Sequence, residues 1–348
     1  MKNIDATIKL IPNLIDEILT YFAYELGPDS HKDIMKKTIG GLELHLAKKY
    51  NLDNISRASD LIYICNALCN QSIGFVCLKR DNSLGYQNVY YWAGAFSDGS
   101  YFQNMTHEER KELCRILENS IYGFKYIYEQ CKDFVIPILH VNQNGEEGIG
   151  TGFIWGNNYI VTAKHCIENS QSIALGKIDY NIYKDAKVYY HNNNYVDIAL
   201  IKLSPLEYDG FNLSDEVSLF ETVITMGYPK IPGFTCFQTA EKATVSALPD
   251  KRLTVTEGEI ASTAQEIWSR ENLFLVTAKI KGGNSGGPLI NIYGNCIGIV
   301  SAIPFSKGDL YDDLGYGTVI PAKLALEMEK DLAQHQYIDN INFTPYPY

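Results

Sequence analysis

From residue 134 onward the apolar positions change period. Before that point they recur at helical spacing: in 13–26 they fall at 14, 15, 18, 19, 22 and 26, with Pro12 suited to a helix start. A second helix is expected after Asp29 or Ser30 and running towards Tyr50, with Gly40-Gly41 as a potential break, and a third over Arg57–Cys69. Thr106-His107-Glu108-Glu109 has the spacing of a capping box and opens a helix through Leu117. Residues 73–103, rich in aromatics and glycine, fit short strands or irregular structure equally well. After Phe134 short apolar runs alternate with turn residues. Asn144-Gly145 and Gly156-Asn157-Asn158 both read as hairpin turns, and the pattern continues through Gly317-Thr318-Val319-Ile320 before a closing helical stretch, Pro321–Leu332. The fold class expected is multi-domain: a helix-rich N-terminal domain over 1–130, then an all-β double barrel over 134–335 with a C-terminal helix. The two barrels would span about 134–215 and 216–320.

Composition leaves room for two or three cores: 348 residues, 46% hydrophobic and 20% charged. The net charge of −11 is uneven. Residues 1–133 hold 15 Lys+Arg against 17 Asp+Glu, and the remainder holds 15 against 24. A β half this acidic offers no broad basic field to a phosphate backbone, so no direct nucleic-acid partner is expected. The N-terminus lacks a long uncharged apolar core and no run of about eighteen apolar residues occurs, so neither a secretory leader nor a membrane partner is expected. The eight cysteines form no compact disulfide framework. Together these features lead to an expected cytoplasmic location. Cys65 and Cys69 would share a helical face and pack in the core, and no metal or cofactor is called for.

The chemistry is concentrated in Lys281-Gly282-Gly283-Asn284-Ser285-Gly286-Gly287-Pro288. Four glycines around one hydroxyl are entropically costly unless the backbone must approach something closely or adopt positive φ. Such a turn suits a nucleophile, Ser285, whose own N–H and that of Gly283 can point at one spot and stabilise an oxyanion. Serine needs a base and the base needs an orienting acid. Val161-Thr162-Ala163-Lys164-His165-Cys166 supplies His165 at the end of one apolar run, and Tyr195-Val196-Asp197-Ile198-Ala199-Leu200 supplies Asp197 at the head of another. Each alone has a bland reading: a glycine-rich loop, a packed histidine, a strand-edge carboxylate. In the order His, Asp, Ser, each in its own apolar context, they make a nucleophilic triad.

These residues resemble the trypsin-like serine peptidases of the chymotrypsin fold, in the form seen in bacterial HtrA-like enzymes, which also read Gly-Asn-Ser-Gly-Gly. The resemblance covers roughly 134–325. It implies a serine endopeptidase acting on protein or peptide substrates, with its cleft between two barrels. It further implies that Ser301, Ala302 and Ile303 pair with substrate backbone, and that Lys279 stands where the family has its pocket floor, although a solvated loop lysine is the simpler reading there. Ile303 and Gly317 point instead to a restricted apolar pocket. Where zymogens of the family carry an aspartate before the nucleophile this chain has Asn284, which removes activation by a newly cut N-terminus. The usual disulfide partner of Cys166 is absent, leaving a packed thiol. Only 28 residues follow Ile320, too few for the peptide-binding module of many HtrA-like enzymes. The domain order suggests a regulatory or adaptor N-terminal domain with an activating protein partner, in a bacterial signalling or defence setting. The rival readings are an inactive peptidase-fold scaffold and a degradative HtrA-like housekeeping protease.

Overall fold

The computed structural model describes residues 11–23, 35–52, 57–92, 105–229, 253–301 and 315–347. Its contacts divide the chain into two compact units, Met1–Tyr126 and Ile127–Tyr348.

The first unit contains α1 (Leu14–Phe22), α2 (Ile39–Tyr50), α3 (Ala58–Cys69), a hairpin of β1 (Phe75–Lys79) with β2 (Val89–Trp92), and α4 (His107–Tyr122). The apolar stripe of α1 is buried at Leu14, Ile15, Ile18, Leu19 and Phe22, against Leu42, Leu46, Ile64 and Leu68 from α2 and α3. The structure settles the ambiguous 73–92 stretch as antiparallel strands, with Phe75 stacked on Tyr90 in that core. Residues 93–103 lie outside the described residues. α2 starts later than expected: residues 35–38 are not helical, and Gly40-Gly41 fall in its first turn rather than within a longer helix. Thr38 caps the helix by accepting from Gly41 N–H, and a Cβ on Gly40 would come within 2.2 Å of the Tyr86 ring, so glycine here serves close approach. The capping box is present: Thr106 Oγ1 accepts from Glu109 N–H, and the Glu109 carboxylate accepts from Thr106 N–H at 2.8 Å. α4 runs beyond the expected Leu117 and stops at Gly123, with φ 75°.

Helix α5 (Phe124–Cys131) leads into the β unit. There β3 (Val135–Asn142), β4 (Glu147–Trp155), β5 (Tyr159–Thr162), β6 (Ser170–Leu175), β7 (Lys187–Tyr190) and β8 (Ala199–Lys202) join two C-terminal strands, β15 (Gln336–Ile338) and β16 (Asn342–Phe343). The sheet order is β15-β7-β8-β5-β4-β3-β6-β16. Its two edge strands are consecutive in sequence and three residues apart, so its edges lie within about 15 Å of each other and the sheet folds back on itself. Ile138, Ile154, Ile160, Ile173, Val188, Ile201 and Phe343 fill the enclosed core.

The other half is a closed six-stranded barrel. It is built from β9 (Thr222–Gly227), β10 (Thr254–Gln265), β11 (Asn272–Val276), β12 (Pro288–Asn291), β13 (Cys296–Val300) and β14 (Gly317–Pro321). Val223, Ile260, Val276, Leu289, Ile297, Val300 and Val319 fill it. The closing helix, here called α6 (Ala322–Lys330), buries Leu324, Ala325 and Met328. The multi-domain fold with a double-barrel β part is therefore as the pattern predicts. Among the described residues no helix is long and apolar enough to cross a membrane.

Candidate active site

Strand register brings His165 and Asp197 together. β5 and β8 are antiparallel with Thr162 opposite Ala199. His165 lies three residues past the end of β5, in a short 3-10 turn, and Asp197 two residues before the start of β8. His165 Nδ1 is 2.7 Å from Asp197 Oδ2, and the backbone N–H of His165 donates to Oδ1 at 2.9 Å. Both carboxylate oxygens are thus engaged from the same residue, which fixes the ring plane. Burial pulls the imidazole pKa down, but the hydrogen bond to Asp197, then Cys166 beside the ring, and the charge of Asp197 outweigh it, and His165 is held above the ordinary imidazole range.

Ser285 sits at the matching end of β12. Gly286 N–H donates to Val300 O at 2.7 Å and Val300 N–H donates to Gly287 O at 2.8 Å, so the turn is stitched to β13, whose next residue is Ser301. Gly283 and Gly286 have φ of 98° and 84°, the left-handed conformations the glycine spacing called for. At Gly286 a Cβ would also lie 2.1 Å from Thr151 O, so no other residue fits. Among the described residues, neither Gly283 N–H nor Ser285 N–H donates to any protein group. For a turn this buried, two such donors are what an oxyanion site requires.

A residue that no motif singles out, Thr151, organises this turn. Thr151, in β4 and fully buried, donates from Oγ1 to Gly283 O at 2.7 Å and accepts at the same oxygen from Tyr228 N–H at 2.9 Å. Its own N–H donates to Ser285 O at 2.9 Å, and Thr162 Oγ1 donates to its carbonyl at 2.7 Å. The eight-stranded sheet thereby holds the Ser285 turn of the barrel at two carbonyls. Cys166 is the packed thiol expected: it is buried, and its Sγ lies 3.4 Å from Ser285 O and 3.8 Å from His165 Nε2. Among the described residues no hydrogen bond joins Ser285 Oγ to His165. Bonds of this kind are often loose before substrate arrives.

The remaining expected site residues fare differently. Ser301 is fully buried and its hydroxyl donates to Asp197 Oδ2 at 2.5 Å. Lys279 is exposed, and its backbone carbonyl, rather than its ammonium, is held, accepting from Thr256 Oγ1 at 2.9 Å. The simple reading of a solvated loop lysine therefore replaces the pocket-floor one. Ala302 and Ile303 lie outside the described residues. A recess of about 260 Å³ opens beside His165, Asp197 and Ser301, and Tyr195 and Trp268 stack at 6.2 Å in its wall. Among the described residues no group of His, Cys, Asp or Glu is arranged to hold a metal ion.

Two β halves meeting at a His–Asp pair and a glycine-framed serine define a trypsin-like peptidase domain, and residues 150–299 match the family of that description. Its form is HtrA-like. The chain is 31% identical over 191 residues to the periplasmic pH-dependent serine endoprotease DegQ of Escherichia coli K12, covering 53% of this chain and 37% of that one. It is 29% identical over 192 residues to the periplasmic serine endoprotease DegP of Salmonella typhimurium, covering 54% and 36%. Among solved structures, the HtrA-type protease AlgW with a tripeptide overlays 60% of this chain and 62% of its own, at 23% identity and a TM-score of 0.45. The chain thus spans little more than a third of the length of those curated relatives. These relatives correct the expected location. Both are periplasmic proteins by description, which contradicts the cytoplasmic expectation. The cysteine argument failed because spacing and burial report which thiols can pair, not the compartment that holds them.

Proposed function

We propose that this protein is a serine endopeptidase in which Ser285 is the nucleophile, His165 the general base and Asp197 the group that orients it. The observation that carries the reading is the bidentate seat of His165 on Asp197, with Cys166 Sγ near both His165 Nε2 and Ser285 O, beside a buried serine turn in which, among the described residues, neither Gly283 N–H nor Ser285 N–H donates to a protein group. His165 Nε2 takes the Ser285 proton as Oγ attacks the scissile carbonyl. The two N–H groups receive the oxyanion, and the imidazolium, stabilised by Asp197, returns its proton to the leaving amine. Water then attacks the acyl-enzyme by the same route. These roles follow the Ser-His-Asp mechanism of the trypsin-like peptidases.

The first unit is proposed to regulate the peptidase, through a protein partner, in a bacterial signalling or defence setting. Asn284 offers no charge for a newly cut N-terminus, so control must come from elsewhere, and the apolar helices of the first unit suit a protein contact better than a polyanion. A degradative role is the neighbouring reading. A non-catalytic scaffold is the second reading; among the described residues Ser285 Oγ and His165 share no hydrogen bond, which is compatible with it. Incubating wild type and Ser285→Ala with one unstructured protein decides between catalysis and scaffold. Cleavage by wild type alone supports the peptidase, and no cleavage by either, with both chains folded, supports the scaffold. Mapping the new N-termini in host extract then separates a few defined targets from bulk degradation.

A further inference from the structure

Beyond the triad, the loop that delivers Asp197 is fastened at its start by two histidines. β15 runs antiparallel to β7 with Gln336 opposite Tyr190, a register that brings His335 beside His191, and the two rings lie 5.0 Å apart. Asn192 N–H donates to His335 Nδ1 at 3.1 Å, and Asn193 N–H donates to His191 Nδ1 at 3.1 Å. A nitrogen that accepts from an amide N–H must keep its lone pair, so both rings are neutral and carry their proton on Nε2. The Asn193 N–H is shared with Asn192 Oδ1 at 2.8 Å, and beyond the anchor the loop carries further ties: Tyr195 N–H donates to Asn193 Oδ1 at 3.1 Å, Val196 N–H to Asn193 O at 3.0 Å, Asn193 Nδ2 to Ser269 O at 3.1 Å, Lys164 Nζ to Asn194 O at 3.4 Å and Lys164 N–H to Asp197 O at 3.3 Å.

We propose that His191 and His335 are positioning residues that act as a proton-sensitive latch on the loop 191–197, holding Asp197 on His165 when neutral and releasing it when either ring is protonated. A proton on His335 Nδ1 would face the Asn192 N–H and break that anchor, one on His191 Nδ1 would leave the Asn193 N–H to Asn192 Oδ1 alone, and two imidazolium rings this close would repel each other. The charged groups around the pair are Glu327 on α6, Asp331 just beyond it, and Lys164 from the turn before His165. Burial, and then the neighbouring ring, holds His191 below the ordinary imidazole range; burial lowers His335 too, against the opposing carboxylate of Asp331. The sign follows. The latch is closed above about pH 6.5, where the imidazoles of an unfolded chain are neutral, and is lost as pH falls through the depressed values of the folded pair.

The inference rests on the triad reading, but it is tested apart from turnover. Trp268 stacks on Tyr195 within this loop, whereas Trp92 and Trp155 are buried elsewhere, so its emission reports the latch. In a full-length Ser285→Ala background, with the signal of a Trp268→Phe control subtracted, emission should change reversibly between pH 7.5 and 5, with a midpoint below 6.5. His191→Asn with His335→Asn, which supplies non-titrating acceptors near the Nδ1 positions, should abolish the change. In active chains the acid limb of log kcat/KM should be steeper than one per pH unit in wild type and return to one in the double variant. A flat wild-type signal, or the same midpoint in the double variant, overturns the latch. If circular dichroism shows the double variant unfolded, His335→Gln takes its place: a smaller or shifted transition supports the latch, and an unchanged one overturns it.

Discussion

Ser301 and His165 converge on one oxygen of Asp197: the hydroxyl lies 2.5 Å and Nδ1 2.7 Å from Oδ2. Ser301 therefore shares the work of holding the carboxylate in place. Ser301→Ala removes one charge-assisted hydrogen bond, valued at about 1.5–3 kcal/mol, so kcat/KM should fall by roughly 10- to 100-fold with the fold intact. Losing that donor makes the carboxylate a stronger partner for the imidazolium. The acid limb of the rate profile should consequently move to higher pH, which a profile over pH 5–10 would reveal.

Asp197→Asn should lower turnover by about 10⁴-fold while leaving stability nearly unchanged, the value known for this triad. Proteolysis assays paired with thermal melts check it. Turnover within about tenfold of wild type would require another carboxylate, such as Asp185, to be the partner.

The raised pKa of His165 carries its own pH prediction. Catalysis needs the neutral ring, so activity should rise with pH through a value above the ordinary 6.5. The stability that the charged His165 gains from Asp197 has the opposite sign: it is complete below the unfolded pKa and is lost as pH rises through the folded one. Comparing melts of wild type and His165→Gln from pH 6 upward should show the difference shrinking.

Thr151→Val preserves shape but removes the hydroxyl that serves Gly283 O and Tyr228 N–H. Two buried groups then lose their partner, at about 1–3 kcal/mol each. The melting temperature should drop, and kcat should fall more than KM rises, because Gly283 also supplies a proposed oxyanion donor. A change in stability without any change in kcat would separate Thr151 from the oxyanion turn.

Much of this was readable from residue order. The capping box at Thr106 and the turns at Asn144-Gly145 and Gly156 are local, and local rules found them. The triad was legible because each member sits in an apolar run of its own. What escaped depends on distance in sequence. Thr151 is 132 residues from the Gly283 carbonyl it holds, and Ser301 is 104 from Asp197, so no spacing announces either bond. His191 and His335 meet only through the β7–β15 register. Gly40-Gly41 marks a boundary instead: the helix expected from about residue 30 begins at Ile39, with the glycines in its first turn and Gly40 packed close against Tyr86.

The central claim is that Ser285 is an activated nucleophile, and its most direct measurement is covalent. A fluorophosphonate should add one phosphonyl group to the wild-type chain, mapped by peptide mass to Ser285 and absent from Ser285→Ala. The rate of labelling should fall when His165 is replaced by Gln. Labelling at another serine, or unchanged proteolysis in Ser285→Ala, would contradict the assignment.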